Sequence, residues 1–234
     1  MTSRQAPPSG QRASDRSAER PDRSPERAPD GRTLRSQRTR SAIVDANMAL
    51  MMEGNLRPTA AQVAERADVS LRTLWSHFPD LESLFAATGE KTLQVQYAHH
   101  SVIPADQALE DRVRAFCRQR ATMLESIAGA SRAAQLRLPF SEQLRRNRRR
   151  HNERLRTDIG QTFAPEIALA GGAADELVSA LLVACTWPAW MGARDDLHLS
   201  VEEATRVMER TVMAILKDVR ATAGQADQGG QDSE

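Results

Sequence analysis

The chain has 234 residues, of which 40% are hydrophobic and 27% are charged, and its formal net charge at pH 7 is +1. This length is sufficient for one or two domains with a buried core, and the aromatic content of 4% disfavours a β-sandwich or β-barrel, because strands favour aromatic residues. The sequence contains no uninterrupted apolar run of about 18 residues and no apolar signal-peptide core near its start, so we expect neither a membrane span nor secretion.

The small net charge conceals an uneven distribution of arginines. Residues 1–40 hold ten Arg and five acidic residues, a net charge of +5, which leaves −4 for the other 194 residues. Residues 1–33 have almost no large apolar side chains and are expected to form a disordered Arg-rich arm, and residues 222–234 a disordered tail. Arg outnumbers Lys by 30 to 2, a bias equally compatible with a GC-rich coding sequence and with phosphate recognition.

Between these ends, apolar residues recur at helical spacing and no convincing strand pattern is present. The first helix contains Ile43 and ends near Gly54, two short helices contain Val63 and Leu74, and a longer fourth helix contains Leu84. Proline and glycine residues separate five further predicted helices, at 106–127, 128–138, 141–160, 173–191 and 200–220. The sequence therefore predicts an all-α fold.

The segment from Pro58 to Phe78 contains two short helices with clear start signals. Thr59 and Gln62 have the spacing of a capping box, and Ser70 is positioned to cap a second helix over residues 71–77. Asp68 lies at the tight turn between the helices, where a left-handed backbone conformation is needed. This arrangement predicts a helix-turn-helix, whose second helix lies in the DNA major groove. We expect the DNA-binding domain at residues 34–80 and a helical bundle at residues 81–221.

The second short helix carries side chains suited to DNA. Arg72 can donate two hydrogen bonds to a guanine, and Leu71 can contact a thymine methyl group. The hydroxyl, indole and imidazole donors of Thr73, Trp75 and His77 suit phosphate oxygens. The other candidate DNA-binding residues are Arg38, Arg40, Thr59, Ser70 and Ser76, of which Thr59 and Ser70 mark helix N-termini that present backbone amides. Spacing alone is also compatible with a helical corner that binds nothing.

Residues 38–90 resemble the N-terminal domain of the TetR (tetracycline-repressor) family of bacterial transcription regulators. The matching positions are Thr59, Val63, Ala64, Ala67, Val69, Ser70, Thr73, Leu74, His77, Phe78 and Leu84. Three positions depart from the family pattern: Asp68 replaces the usual Gly, Trp75 the usual Tyr, and Leu81 the usual phosphate-binding Lys. The resemblance implies an operator-binding homodimer whose C-terminal domain binds a small-molecule effector and carries the dimer interface.

Two helices near the C-terminus have apolar residues that suit a dimer interface, as the resemblance implies. These residues are Leu177, Leu181, Val183 and Ala184 on one helix and Val207, Thr211, Ala214 and Ile215 on the other. The alternative is ordinary core packing within one chain. A homodimer is favoured because two-fold symmetry matches a palindromic operator.

The sequence around Pro188, which is expected to kink or end a helix, contains two Trp and one Met. The candidate ligand-binding residues are Phe116, Met123, Phe163, Trp187, Trp190 and Met191, and core packing explains them equally well. Cys117 and Cys185 are interpreted as buried apolar residues, and two cysteines are too few for a disulfide framework. The Arg-rich run at 145–156 is interpreted mainly as a solvated helix face.

No catalytic motif, compact metal-ligand spacing or cofactor motif is present, so we expect a non-enzymatic protein without metal or cofactor. The leading interpretation is a repressor that a small molecule releases from a palindromic double-stranded DNA operator. The first alternative is a sequence-independent architectural protein that binds DNA through its Arg-rich arm. The second is a helical enzyme or ligand carrier with a vestigial helix-turn-helix. A DNA-binding protein without a membrane span is expected in the cytoplasm, at the nucleoid.

Overall fold

Eleven α-helices form the described part of this computed structural model, which comprises residue 2, residues 31–97 and residues 100–231. The helices are α1 Gly31–Met52, α2 Ala60–Arg66, α3 Leu71–His77, α4 Leu81–Tyr97, α5 Leu109–Ser126, α6 Ala128–Gln135, α7 Glu142–Thr162, α8 Ala164–Leu169, α9 Ala174–Cys185, α10 Trp187–Met191 and α11 Val201–Gln231. These ranges contain no β-strand, which confirms the predicted all-α fold. Most of the predicted arm, residues 3–30, lies outside the described residues.

The two outermost helices are longer than the sequence predicts. Helix α1 begins at Gly31, inside the segment expected to be a disordered arm, and α11 continues to Gln231, through most of the expected tail. The pair Gly229-Gly230, expected to belong to a disordered tail, lies within α11. Once a helix is nucleated by packing, each added residue gains one backbone hydrogen bond, so polar flanking residues can extend it.

The predicted helix at 173–191 is divided into α9 and α10. The break lies at Thr186, whose ψ of 164° is extended, and Pro188 occupies the first turn of α10. This position suits proline because the first turn does not need its missing N–H group. A further short helix, α8, also begins next to a proline, Pro165, which sequence analysis treated only as a separator.

Two main hydrophobic cores position the functional parts of the molecule. Helices α1–α4 enclose the first core, whose fully buried residues include Ile43, Val63, Leu74, Phe78 and Leu84. The larger core lies between α5, α7, α9, α10 and α11. A small third cluster contains Met51, Phe85, Ala130 and Ala133, and it joins α1 and α4 to α6. The N-terminal helices are therefore packed directly against the C-terminal bundle.

Helix α8 is fastened to the larger core by a buried ion pair between Arg112 and Glu166. Two hydrogen bonds of 2.8 Å join the guanidinium to the carboxylate, and Arg220 donates a further bond to the same carboxylate. Burial raises the pKa of Glu166. The hydrogen bonds from Arg112 and Arg220 together lower this pKa by more than burial raises it, so the net shift is downward. Glu166 is therefore ionised at neutral pH.

Within the described ranges, no single helix has the length and apolar character needed to cross a membrane. One bent pair, Gly171–Cys185 with Trp187–Asp196 at 41°, has the length and composition of a broken span.

Candidate nucleic-acid interface and ligand cavity

The corner between α2 and α3 has the local geometry predicted from its sequence. Thr59 and Gln62 form both hydrogen bonds of the capping box, and the Ser70 hydroxyl accepts a 3.1 Å hydrogen bond from the Thr73 amide. Asp68 has a φ of +52°, the left-handed conformation expected at this turn. Val69 is half-buried against the first core. These contacts fix the direction in which α3 leaves the turn.

Helix α3 is anchored along one side and open along the other. Leu74 and the following Phe78 are fully buried in the first core. Leu71, Arg72, Trp75 and Ser76 are exposed, and Thr73 and His77 are half-buried at the edges of this face. The exposed residues are four of the six that sequence analysis assigned to DNA on this helix. Their arrangement gives a protruding helix face with an arginine, an indole and a hydroxyl available for contacts.

Several of the predicted DNA-binding residues also make contacts within the protein. The Thr73 hydroxyl lies 2.8 Å from the Ser70 hydroxyl, and the Ser76 hydroxyl donates a 2.7 Å hydrogen bond to the Thr73 carbonyl. Arg72 has neither an ion pair nor a side-chain hydrogen bond to any residue in the described ranges. As far as the described residues are concerned, its guanidinium donors are therefore available to an external acceptor.

Arg40 has a structural position beside the end of α3. Its Nη1 donates a 3.2 Å hydrogen bond to the His77 carbonyl, and its Cζ lies 4.1 Å from the centre of the Phe78 ring. A guanidinium above an aromatic ring gains cation–π attraction. Arg40 thus connects α1 to the C-terminus of α3, while Arg38 is exposed on α1 without such a contact among the described residues.

At the start of α4, Leu81 occupies the position where the TetR family pattern has a lysine. Leu81 is half-buried and packs against both the first core and the small third cluster. Asp80 caps the helix by accepting a 2.7 Å hydrogen bond from the Ser83 amide, which lowers the pKa of Asp80. This position therefore provides an apolar contact between α4 and its neighbours instead of a cation.

A cavity of about 320 Å³ lies between the N-terminal helices and the bundle. Its walls come from the end of α1, from α4, α5, α6 and α7, and from residues 186–188 at the break between α9 and α10. The apolar part includes Met51, Phe85, Leu124, Ile127 and Leu144, and the polar part includes Thr88, Arg120, Asn147, Arg148 and His151. This volume is at the small end of the range of ligand pockets, about 300–1,000 Å³.

Of the six predicted ligand-binding residues, only Trp187 lines this cavity. Phe116 and Phe163 pack edge to face in the larger core, with ring centres 5.2 Å apart. Trp190 is buried and donates a 2.8 Å hydrogen bond to Glu125. Met123 is buried and Met191 is half-buried, and neither lines the cavity. Sequence reasoning missed Arg120 and His151, which look like ordinary members of Arg-rich helices until the fold brings them together.

Helices α1, α4 and α6 connect the cavity wall to the helix-turn-helix. The Asn47 side chain on α1 donates a buried 2.8 Å hydrogen bond to the Thr88 hydroxyl, and Thr88 lines the cavity. Helix α6 approaches the end of α1 so closely that a Cβ on Gly129 would lie 2.3 Å from the Met51 carbonyl oxygen. A displacement of α4 or α6 at the cavity wall would therefore also displace α1.

The outer surfaces of α9 and α11 carry part of the predicted dimer interface. Val183 is 70% exposed, and Val207, Thr211 and Ala214 are also exposed. Ala184 and Ile215 are half-buried, whereas Leu177 and Leu181 are buried in the chain's own core. Exposed valines on two adjacent helices leave an apolar strip on the surface of the single chain.

No protein-family model and no curated protein matches this sequence. Solved structures do match: a TetR-family transcriptional regulator from Mesorhizobium loti is 22% identical, with a TM-score of 0.63 over 78% of this chain and 97% of that one. A transcriptional regulator from Rhodococcus sp. RHA1 is 19% identical, with a TM-score of 0.58 over 78% and 96%. A TetR transcriptional regulator from the same strain is 20% identical, with a TM-score of 0.50 over 78% and 97%. The chain therefore has the fold of solved TetR-family transcriptional regulators.

Proposed function

We propose that the chain is a DNA-binding transcriptional regulator of the TetR family, a repressor that a small molecule releases from a palindromic operator. The observation that carries the proposal is the exposed face of α3, where Arg72 and Trp75 protrude while Leu74 and Phe78 hold the helix on the core. A helix anchored in this way can enter a major groove. The proposal includes no catalytic step, metal or cofactor, and its site of action is the nucleoid in the cytoplasm.

The proposed regulator acts as a homodimer through α9 and α11. The exposed apolar strip at Val183 and Val207 supports this arrangement, since burial against a second copy would remove it from water. Two copies related by a two-fold axis present two recognition helices to two half-sites. The half-site centres are then about 34–36 Å apart, or a multiple of that distance.

Release by a ligand is supported by the position of the cavity. Helix α4 lines the cavity at Thr88 and packs on α1 of the helix-turn-helix. In the proposed mechanism, the ligand favours a position of α4 in which the distance between the two recognition helices no longer matches the distance between the operator half-sites. The ligand acts only through its different affinities for the two positions.

Selection of preferred sites from a random pool of DNA by the purified full chain tests the proposal. We expect a palindromic site that is bound far more tightly than random DNA of the same length. Equal affinity for both would contradict a sequence-specific regulator.

The Arg-rich composition of residues 1–33 favours a second candidate, an architectural protein that binds DNA through charge. Deletion of these residues separates the two functions. A regulator keeps its sequence preference and loses part of its affinity, whereas an architectural protein loses most of its binding and shows no preference at any salt concentration.

A further inference from the structure

Two buried hydrogen-bond donors on the cavity wall have no acceptor among the described residues. Arg120 is 6% exposed and Trp187 is 9% exposed, and both line the cavity. Nη1 of Arg120 and Nε1 of Trp187 are without partners there, although Nε of Arg120 donates a 2.8 Å hydrogen bond to the Cys185 carbonyl. An unsatisfied buried donor is unfavourable, and more so when the group is charged, so its presence at a cavity points to a ligand.

The other fully enclosed arginine of the bundle shows how this protein ordinarily satisfies such a group. Arg112 lies against Glu166, and two hydrogen bonds of 2.8 Å join them. Arg120 has no comparable carboxylate. Against the lowering effect of burial, Tyr97 and Asp158 both raise the pKa of Arg120, but Tyr97 carries no carboxylate, and Oδ1 of Asp158 lies 3.4 Å from Nε2 of His100. Arg120 is therefore a buried cation, and no carboxylate among the described residues forms a hydrogen bond with it.

The charged side chains that line the cavity favour an anion. Among the described residues, the lining includes Arg120 and Arg148 and neither Asp nor Glu. Burial and, after it, the charges of Arg120, Arg154, Arg150 and Arg148 together lower the pKa of His151 to about 4. His151 is consequently neutral at pH 7 and offers hydrogen bonds without adding positive charge.

The rest of the wall is apolar and accommodates a hydrocarbon or aromatic group. Phe85, Leu124, Ile127 and Leu144 contribute to this surface, and the volume of about 320 Å³ limits the occupant to a small molecule. The cavity therefore combines one cationic, donor-rich region with an apolar remainder.

We propose that the effector is a small organic carboxylate with an apolar body, whose carboxylate accepts hydrogen bonds from Nη1 of Arg120 and Nε1 of Trp187. The assignment rests on the proposed function, in which this cavity is the effector site. Both atoms are N–H donors that a carboxylate oxygen accepts, and the ligand's single negative charge balances Arg120. The apolar body occupies the surface formed by Phe85 and the neighbouring aliphatic residues.

Titration calorimetry of the purified full chain with matched probe pairs tests the charge requirement. The probe pairs are octanoate with octanamide and 4-phenylbutanoate with 4-phenylbutanamide. The two members of each pair differ in charge but have nearly the same shape. We expect at least one carboxylate to bind about tenfold or more tightly than its amide. Arg120→Gln should abolish this preference. Trp187→Phe should weaken it, because phenylalanine keeps an aromatic ring but lacks the N–H donor. The control, Arg149→Gln, changes an exposed arginine on α7 and should leave the preference unchanged.

Equal affinity for acid and amide, or an unchanged preference in Arg120→Gln, overturns the proposal. Failure of all carboxylates to bind a protein that still selects a DNA site overturns it too, and leaves the DNA-binding function standing. The converse result, carboxylate preference without DNA selection, overturns only the proposed function. If Arg120→Gln does not fold, NMR titration of His151 in the wild type replaces it: bound carboxylate raises the imidazole pKa above about 4 and the amide does not.

Discussion

Asn47 and Thr88 join the helix-turn-helix to the cavity wall through a buried hydrogen bond of 2.8 Å. Thr88→Val keeps the shape of the side chain and removes the acceptor, leaving the Asn47 amide buried without its partner. We expect the free energy of unfolding, measured in urea, to fall by about 1–3 kcal/mol. Thr92→Val is the matched control, because the Thr92 hydroxyl only donates to a backbone carbonyl of the same helix, and its loss leaves no side-chain donor unpaired. Equal losses in the two variants would contradict this role of Thr88.

Arg72 is the residue on which sequence-specific binding most depends in the proposed regulator. Arg72→Ala should weaken binding to the selected DNA site by about 1–3 kcal/mol and relax the base preference at one position of each half-site. Fluorescence anisotropy with the selected site and with single-base variants measures both effects. Arg118→Ala, an exposed arginine on α5, serves as the control and should change neither. A uniform loss of affinity across all DNA sequences would assign Arg72 to phosphate instead of a base.

Val183 is an exposed apolar residue of the proposed dimer surface. Val183→Glu places a carboxylate in the interface of each copy, where its desolvation without a partner is unfavourable, so the dimer should dissociate at higher protein concentrations than the wild type does. Size-exclusion chromatography with light scattering gives the mass directly. Val102→Glu is the matched control, because Val102 is 71% exposed and belongs to the segment between α4 and α5, so it is on neither of the two helices of the proposed dimer surface. An unchanged mass for Val183→Glu would place the interface elsewhere.

Glu166 should make the protein more stable at neutral than at acid pH. Its pKa is lowered in the folded chain, so its contribution to stability is complete above the ordinary pKa and is lost as the pH falls through the lowered value. Glu166→Gln leaves Arg112 buried without its counter-charge and should reduce the free energy of unfolding at pH 7 by about 3–5 kcal/mol. The difference between wild type and variant should begin to shrink near pH 4.5, where the carboxyl becomes protonated in the unfolded chain, and should continue to shrink as the pH falls through the lowered pKa of the folded chain. A difference independent of pH would contradict this account.

Local signals made the helix-turn-helix predictable from sequence. The capping box at Thr59, the cap at Ser70 and the left-handed turn at Asp68 depend on residues within three or four positions of one another, and all three are present in the structure. The burial of Leu74 follows from helical periodicity in the same way. Such features need no knowledge of distant contacts.

The cavity was not predictable to the same degree because distant segments build it. Phe116 and Phe163 have the aromatic character expected of ligand-binding residues, yet they fill the larger core. Arg120 gains its significance only because α5 buries it beside the break at Thr186, 66 positions further along the chain. The sequence signal at Pro188 located that break, and Trp187 beside it is the one predicted ligand-binding residue on the cavity wall.

The residues that line the cavity and those exposed on α3 are entirely separate sets. A substitution at Arg120 or Phe85 changes the shape or charge of the cavity without altering any side chain that protrudes from α3. If the proposed function holds, copies of the gene can therefore acquire new chemical signals in evolution while they continue to control the same genes. The same separation would then let a protein engineer change the proposed sensor and keep the promoter.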